Sequence, residues 1–498
     1  MIKRIVSLFL VALLVMSFLP LCVFADETWV ELKTAADIEK LMKQESSLTA
    51  NYKLMNDIDI SGIASQAPIG NTTAKFAGIF DGQGHTIKGI NITAADGNGT
   101  GFFGIIANAT IKNLTVEGTI NGAGQQRIGG LVGSLQPVEN GTALIEHCTN
   151  KCNVTGKTRT GGILGIGILN VGEFAFSAVI KNCTNEGKIT GEVDRIGGVA
   201  GSLSPTGAKN RTMVVTGCVN KGEVTGKQIV GGIVGNADTS QPNVVENCIN
   251  YGYIHSDIAG STGMIGGVIG RMCGWDVKGC TNNGKVELTV AATSSLVGGI
   301  VGRVDANCTV SDNLNNGEIV DVTGNGIGGI VGGDDKTGSG TVDNEFVCNN
   351  FNKGIVKAAG DATKTGTGIG EILGINTICA PVNNYYALPA NATVHAGTTG
   401  TAYTEADFAK LNVNGVWKTA SNPVLGKEET SVDTSEAVVT TDAPDTTNAP
   451  ATTNAPVTTD GASEQNPQTG DCSVLLAIAA VSVIALGAVV VVKKQSVR

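Results

Sequence analysis

Three arginines recur at one position of a repeated sequence unit and could together bind an anion. Arg127, Arg159 and Arg195 each lie two residues before the first glycine of a six-residue motif, in three successive copies. A guanidinium group is planar and permanently charged, and its N–H donors match a carboxylate in a two-pronged hydrogen bond. If the copies stack, the three cations repel one another unless an anion lies across them. We therefore hypothesise that this arginine row binds an anionic glycan or a carboxylate.

The same arginines have a simpler interpretation as scaffold. Glu192 and Asp194 lie close to Arg195 in the sequence and could neutralise the row internally. Arg271 and Arg303 directly follow two later copies of the motif and form a second, separate pair. The sequence leaves open which of these arginines face a ligand.

Side chains suited to catalysis are scarce. Asp57, Asp59 and Asp81 could supply the paired carboxylates of a glycosidase, which stand roughly 5 to 9.5 Å apart. Acidic residues at turns more often accept backbone hydrogen bonds, so we predict no catalytic residue. No cysteine or histidine cluster has zinc-site spacing, and we predict no metal and no cofactor. The four histidines occupy unrelated positions of the repeat: His85, His147, His255 and His395.

The composition restricts the elements that can position these residues. The 498-residue chain has 69 glycines, 16% charged residues and 4% aromatic residues. Small and β-branched side chains must therefore build the core, which argues against a helical bundle, a coiled coil or a zinc-finger array. The net charge of −10 argues against a nucleic-acid partner, because binding to phosphates requires a basic surface.

A six-residue motif with paired glycines, here called the hexad, recurs through the middle of the chain. Successive first glycines are separated by 32, 36, 34, 35, 32, 30 and 42 residues. Short Val and Ile runs bounded by Gly and Asn predict strands and tight turns, with no sustained helical period. The hexads begin at Ile128, Thr160, Ile196, Val230, Ile265, Val297, Ile327 and, in a degenerate form, Ile369.

A second motif, between the hexads, places a cysteine two residues before an asparagine. If each repeat is one coil of a β-solenoid, equivalent residues of successive coils stack about 4.8 Å apart in a column, here called a file. Asparagine amides in such a file can form a hydrogen-bonded ladder. The cysteines of this motif are Cys148, Cys183, Cys218, Cys248 and Cys280. The asparagines are Asn150, Asn185, Asn220, Asn250, Asn282, Asn315 and Asn352.

The redox state of the cysteines is open at this stage. Buried free thiols would act as small apolar side chains in the file. Disulfides are the alternative, because the spacing of neighbouring coils satisfies their geometry. The further cysteines that could take part are Cys152, Cys273, Cys308, Cys348 and Cys379.

The two ends of the chain carry predicted targeting signals. Residues 1–25 have a basic start, an apolar run and a small-residue end, which is typical of a secretory signal peptide. Residues 466–498 combine a short motif, an apolar stretch long enough to cross a bilayer as a transmembrane helix, and a basic tail. The short motif consists of Asn466, Pro467, Gln468, Thr469 and Gly470.

The C-terminal arrangement resembles the sorting signal of Gram-positive surface proteins. The resemblance implies that a sortase cuts between Thr469 and Gly470 and joins the chain to peptidoglycan, with membrane contact only before cleavage. The expected location is therefore outside the cell, anchored to the wall. Residues 427–465 repeat a Thr- and Pro-rich unit and predict an extended, disordered stalk.

The hexads, together with residues 54–60, 80–87, 101–104 and 111–114, resemble the GLUG-motif bacterial surface proteins. The resemblance covers roughly residues 50–375 and implies an all-β fold, a right-handed parallel β-helix related to that of pectate lyases. We predict an N-terminal cap and the first coils in residues 26–128, the repeat β-helix in 129–385 and a C-terminal cap in 386–426, because the ends of a solenoid must be covered against edge-to-edge pairing.

The most favoured function is an adhesin or glycan-binding module displayed on a stalk, because repetition suits presentation of a long side face. Its expected partners are sortase, peptidoglycan, and a host or environmental glycan or surface protein. A wall-tethered polysaccharide lyase or glycoside hydrolase is the alternative, since fold does not decide function. A passive surface spacer with no specific ligand is the third hypothesis.

Overall fold

The computed structural model describes residues 28–167, 175–205, 211–334, 346–358, 369–375, 380–382, 384–387 and 401–402. The chain divides into two units, residues 1–429 and 430–498, and all described residues belong to the first. The predicted signal peptide, the stalk, the sorting signal and all but four residues of the predicted C-terminal cap lie outside the described residues.

Each coil passes through five short strand positions, and each strand pairs with its equivalent in the next coil. One central coil runs through Phe176–Lys181, Thr184–Asn185, Ile189–Gly191, Ile196–Gly197 and Ala200–Leu203. These strands pair in parallel with the coils on both sides. The predicted β-solenoid is confirmed: the fold is an all-β parallel solenoid of right-handed type.

The five stacks of strands are named the first to fifth ladders, in chain order within a coil. The first ladder contains Trp29–Leu32, Asn51–Leu54, Ile79–Asp81, Thr110–Lys112, Gly141–Glu146, Phe176–Lys181, Arg211–Thr216, Val234–Glu246, Ile269–Lys278, Thr309–Ser311, Phe346–Cys348 and Ala380–Val382. The second ladder contains Ile58–Asp59, Thr86–Thr93, Thr115–Gly129, Thr149–Asn150, Thr184–Asn185, Val219–Asn220, Ile249–Asn250, Thr281–Asn282, Leu314–Asn315, Phe351–Asn352, Tyr385–Tyr386 and Thr401–Ala402.

The remaining ladders complete the coil, and five long strands bend from one ladder into the next. The third contains Asn153–Gly161, Ile189–Gly191, Val224–Gly226, Ile254–Ser256, Val286–Leu288, Ile319–Asp321 and Val356–Ala358, joined by the end of Thr86–Thr93 and the middle of Thr115–Gly129. The fourth contains Ile196–Gly197, Ile229–Gly231, Thr262–Gly266, Ser294–Gly298, Ile327–Gly328 and Ile369–Gly370, joined by the ends of Thr115–Gly129 and Asn153–Gly161. The fifth contains Phe103–Ile106, Val132–Leu135, Leu164–Gly167, Ala200–Leu203, Val301–Val304, Val331–Asp334 and Leu373–Ile375, joined by the starts of Val234–Glu246 and Ile269–Lys278.

The hexads connect the fourth ladder to the fifth, at a turn of the backbone where the paired glycines have no room for a Cβ atom. A Cβ atom on Gly198 would lie 2.1 Å from the carbonyl oxygen of Gly232 in the next coil and 2.4 Å from the Asn220 side chain. The apolar hexad residues point inward, and Ile196 and Val199 are fully buried. The paired glycines are therefore required by the close approach of successive coils.

The asparagines of the second motif form one continuous hydrogen-bonded file inside the solenoid. Each Nδ2 donates to the Oδ1 of the next coil's asparagine at 2.8 Å, from Asn150 through to Asn352. Each Nδ2 also donates to a carbonyl two residues ahead, for example from Asn185 to Gly187 at 2.9 Å. These amides are fully buried, and the file satisfies hydrogen bonds that burial would otherwise leave unmade.

The cysteines occupy the neighbouring file as free thiols. The five motif cysteines are free thiols and are buried. Each motif thiol donates weakly to a backbone carbonyl of the preceding coil, as from Cys183 to Ile145 at 3.6 Å. Burial raises the pKa of the Cys183 and Cys248 thiols, so both stay protonated. Later coils replace cysteine by Asn313, Asn350 and Asn384, which form a second amide file.

The N-terminal end of the solenoid carries a short helix, Ala35–Met42. Thr34 caps it through a capping box with Asp37, and Ile38 and Leu41 are buried against the first coil. Such a cap covers a sheet edge that would otherwise pair with another chain. Within the described part of the chain, no helix is long and apolar enough to cross a membrane.

Candidate anion-binding site

The arginine row lies at one corner of the solenoid, between the third and fourth ladders. Thr160 pairs in register with Ile128 on one side and Ile196 on the other. Arg127, Arg159 and Arg195 directly precede these residues, so the three lie side by side in successive coils, about 4.8 Å apart along the axis. The structure thus brings together the three arginines that the sequence singled out.

All three arginines have a left-handed backbone, which is unusual for this residue. Their φ angles are 64°, 55° and 59° for Arg127, Arg159 and Arg195. This conformation costs a residue with a Cβ atom roughly 1 kcal/mol relative to glycine. The turn that precedes the cysteine position in these coils uses residues that adopt a left-handed backbone more readily, namely Asn182 and Gly217. Residues held in such uncommon conformations recur at functional sites, so the corner is a candidate site.

The hydrogen bonds of the row leave part of its capacity unused. Arg159 donates from Nη1 to Oε1 of Gln126 at 2.5 Å. Arg195 pairs through Nη1 with Oδ2 of Asp194 at 3.0 Å, and that carboxylate also accepts a hydrogen bond from Thr158. Nε of Arg127 is buried and has no hydrogen-bond partner. An orphaned buried donor is costly and is stabilised when a ligand atom reaches it.

Glu192 does not neutralise the guanidinium groups by any direct contact that the structure records. Its Oε1 accepts a hydrogen bond from the backbone N–H of Gly124 at 3.0 Å, across two coils. Asp194 is therefore the carboxylate that contacts the row. The internal neutralisation considered from the sequence holds for Asp194 and not for Glu192.

The electrostatics of the corner are cationic although the protein is acidic. Burial lowers the pKa of Arg159, and the neighbouring charges of Arg195 and Arg127 lower it further, while Asp194 opposes them. A guanidinium remains protonated under all ordinary conditions, so the lowered pKa indicates an unfavourable electrostatic environment and not a loss of charge. Residues 124–128, 156–160 and 191–196 together carry four cationic and two acidic residues. A bound anion would relieve this unfavourable environment.

The second pair of arginines is neutralised within the fold. Arg271 contacts Asp238 at 3.1 Å, Asn236 at 3.2 Å and also Asp305. Arg303 pairs through Nε with Oδ1 of Asp305 at 2.6 Å. Sequence reasoning identified the two arginines and missed both aspartates. The available signal was period two, since Asp305 lies two residues after Arg303, directly beyond the end of the strand Val301–Val304.

The aspartates considered for catalysis serve turns. Oδ1 of Asp57 accepts from the backbone N–H of Thr86 at 2.9 Å, and that of Asp59 accepts from Ser61 at 2.9 Å. These backbone hydrogen bonds are the main cause that lowers the pKa of both carboxyl groups. Oδ1 of Asp81 likewise accepts from the backbone N–H of Gln83 at 2.9 Å.

The histidines are dispersed over the solenoid. His85 lies 3.3 Å from Asp57 at a turn, and His147 has a left-handed φ of 52° in the turn before Cys148. His255 contacts Glu223 at 2.9 Å on the outer face of the third ladder, and His395 lies outside the described residues. Among the residues that the structure describes, no group of three or more His, Cys, Asp or Glu side chains is arranged to hold a metal ion.

Two known proteins resemble parts of this chain. A segment covering 29% of the chain is 29% identical over 161 residues to halomucin of Haloquadratum walsbyi, of which it spans 2%. A segment covering 17% of the chain is 34% identical over 93 residues to a protein of Evansella cellulosilytica, provisionally described as a Gly-rich membrane protein, of which it spans 11%. The chain thus spans a small fraction of these relatives' lengths.

A solved structure from Bacteroides ovatus, provisionally described as an immunoglobulin A1 protease, covers 80% of this chain and 93% of its own, with 16% identity and a TM-score of 0.36. That score is too low for the likeness to say anything about activity. No family model matches the chain. The likeness to GLUG-motif proteins and to a sortase signal therefore stays a prediction.

Proposed function

We propose that the protein is a surface-displayed β-solenoid that binds an anionic glycan through the arginine row. The observation that carries the proposal is the three stacked arginines with left-handed backbones at one corner. Asparagine or glycine would remove the strain, and neither could bind a carboxylate through paired N–H donors. A polymer with a carboxylate or sulfate on successive units suits a cationic file that repeats every coil.

The proposed location is the outer surface of a Gram-positive cell wall. The predicted leader, the Thr/Pro stalk and the motif Asn466 to Gly470 support this location, as does the GLUG-like repeat pattern. The names of the two relatives, a mucin and a membrane protein, are in keeping with a protein at the cell surface. If the motif is a sortase signal, replacing Thr469 by Ala in the native cell moves the protein from the wall fraction to the membrane fraction or the medium. Unchanged recovery in the wall fraction would remove the anchoring proposal.

The binding proposal is tested with the purified full-length chain and a set of acidic polysaccharides, including polygalacturonate and hyaluronate. The decisive variant combines Arg127→Asn, Arg159→Asn and Arg195→Asn, because asparagine keeps the left-handed turn while removing the charge. Loss of several charge-assisted hydrogen bonds should weaken binding by at least about tenfold. Binding should also weaken as salt rises, since the contact is electrostatic.

A matched control separates a specific site from general charge. Lys151, Lys221 and Lys353 share one outward file of the second ladder, so changing all three to Asn removes the same total charge from another face. This control should bind as the unaltered protein does. Equal binding by the arginine variant would make the row scaffold.

The same incubations separate the competing functions. New reducing or unsaturated ends in the polysaccharide would identify a hydrolase or lyase and replace the adhesin proposal. Binding without product supports the adhesin. Absence of both, over the whole set of acidic polysaccharides, would favour a passive spacer.

A further inference from the structure

One coil presents three ring-bearing side chains in succession on its outer face. Tyr251, Tyr253 and His255 alternate with the buried residues Asn250, Gly252, Ile254 and Ser256. We call these three residues the aromatic platform. Tyr251 is 53% exposed and is the one aromatic residue among the most exposed large apolar side chains of the described chain. In a protein with 4% aromatic residues, such a concentration on one coil requires an explanation.

The middle ring of the platform is fixed in position. The rings of Tyr253 and His255 stack with centroids 4.5 Å apart and planes 14° from parallel. The ammonium group of Lys285 lies 5.7 Å from the Tyr253 ring centroid, and the Tyr253 hydroxyl donates to Glu287. Rings held in advance lose little conformational entropy when a ligand binds.

Charges around the platform balance each other. Glu223 contacts His255 at 2.9 Å and Lys188 at 3.1 Å. Glu287 contacts Lys285 at 2.8 Å. Two carboxylates are thus matched by two lysines, so the surface lacks the cationic excess of the arginine row. A ligand recognised here needs no charge of its own.

Amide groups lie beside the platform in the same file as Tyr251. Asn283 and Asn316 occupy the equivalent position in the next two coils, since their backbone N–H groups donate to Asn250 and Asn282 as that of Tyr251 does to Asn220. Nδ2 of Asn316 donates to Oδ1 of Asn283 at 2.8 Å. An exposed ring followed by amides offers an apolar surface next to hydrogen-bonding groups, the combination that a small-molecule site requires.

We propose that the aromatic platform is a second binding site, for a neutral polysaccharide built of hexopyranose units. The apolar face of one sugar ring packs on Tyr251, and its hydroxyl groups hydrogen-bond to Asn283. Hydroxyl groups of the following sugar units hydrogen-bond to the carboxylates of Glu223 and Glu287, which lie level with Tyr253 and His255. This site is independent of the arginine row and binds ligands of a different charge class.

The platform is suited to binding rather than to acid–base chemistry. Burial raises the pKa of Tyr253, and the hydrogen bond to Glu287 raises it further, so its hydroxyl stays protonated and is a poor base. The hydrogen bond from His255 lowers the pKa of Glu223, which keeps this carboxylate ionised as an acceptor. The Tyr253 hydroxyl therefore keeps its proton, and the Glu223 carboxylate keeps its charge and can accept a hydrogen bond from a neutral ligand.

Affinity electrophoresis of the purified full-length chain tests the proposal. Native gels contain one of four neutral polysaccharides: glucomannan, galactomannan, mixed-linkage β-glucan or soluble starch. At least one should retard the unaltered protein. Tyr251→Ala should weaken that retardation by about tenfold, as loss of a central aromatic contact does, while Tyr251→Phe should stay within about threefold because the ring face remains.

Two controls make the outcome specific. Val138→Ala removes another strongly exposed apolar side chain, 48% exposed, and should leave retardation unchanged. The triple arginine variant should also leave it unchanged while losing acidic polysaccharides, so the two sites fail separately. The proposal is overturned if no neutral polysaccharide retards the protein, if Tyr251→Ala is retarded as strongly as the unaltered chain, or if retardation depends on the arginine row.

Discussion

The surroundings of the two arginine stacks shift the arginine pKa in opposite directions. Burial works to lower the pKa of Arg271, but Asp305 and Asp238 outweigh it and the pKa is raised. In the arginine row, burial and the neighbouring cations lower the pKa of Arg159, and Asp194 does not offset them. The later pair lies on a regular strand pairing, whereas the row has left-handed backbones.

The difference separates arginines that are neutralised within the fold from arginines that retain an unpaired buried donor. In the later pair, Asp305 contacts both Arg271 and Arg303, so one carboxylate joins two coils. The row combines strain, like-charge repulsion and an orphaned donor at one half-buried corner. On the proposed function, a bound anion would compensate for these destabilising features.

The largest effect is expected from removing the shared carboxylate of the later pair. Asp305→Asn leaves two largely buried guanidinium groups without their common partner, since the Asp305 side chain is 8% exposed. Breaking such a pair should lower the free energy of unfolding by about 3 kcal/mol in urea denaturation. Asp257→Asn, at an exposed position, should change it by less than about 0.5 kcal/mol. Equal effects of the two changes would remove the structural role of Asp305.

A smaller effect should reveal the strain in the row. Arg159→Gly and Arg159→Ala both remove the charge and the hydrogen bond to Gln126, but only glycine relieves the left-handed backbone. The glycine variant should therefore be more stable than the alanine variant by about 1 kcal/mol in urea denaturation. Both should lose binding to acidic polysaccharides. If alanine proved as stable as glycine, the backbone at this position would not be strained.

The smallest effect on stability is expected at Asp194. Its contact with Arg195 is partly exposed, so Asp194→Asn should change the free energy of unfolding by about 0.5 kcal/mol. The same change frees a guanidinium group from an internal competitor. Affinity for acidic polysaccharides, measured by titration calorimetry, should rise by roughly threefold. A fall in affinity would mean that Asp194 orients Arg195 for the ligand.

The sequence was sufficient for the coils because their signal is local and repeated. The hexads mark the tight corner, and the asparagine slot marks the inner file, at nearly constant spacing. Asp238, one acid partner of Arg271, could not be predicted in the same way. Asp238 comes from the preceding coil, and an irregular stretch in its strand shifts the pairing before Asn243.

The left-handed arginines were also beyond sequence rules. Turn rules identify Gly, Asn and Asp at such positions, and they work at Asn182 and Gly217. Arg159 carries no such signal, because arginine takes this conformation only when the surrounding coil imposes it. Likewise, the stacking of Tyr253 on His255 depends on side-chain packing, which a repeat pattern does not specify.

The asparagine file restricts which insertions and deletions the solenoid can accept. Each buried amide between Asn150 and Asn352 is hydrogen-bonded to the asparagines of both neighbouring coils, so a coil inserted out of phase would orphan two amides. Duplication or loss of one whole repeat, in contrast, restores every pairing. Such length changes would alter the number of coils between the aromatic platform and the last asparagine of the file, Asn352, and would leave the hydrogen bonds of the file intact.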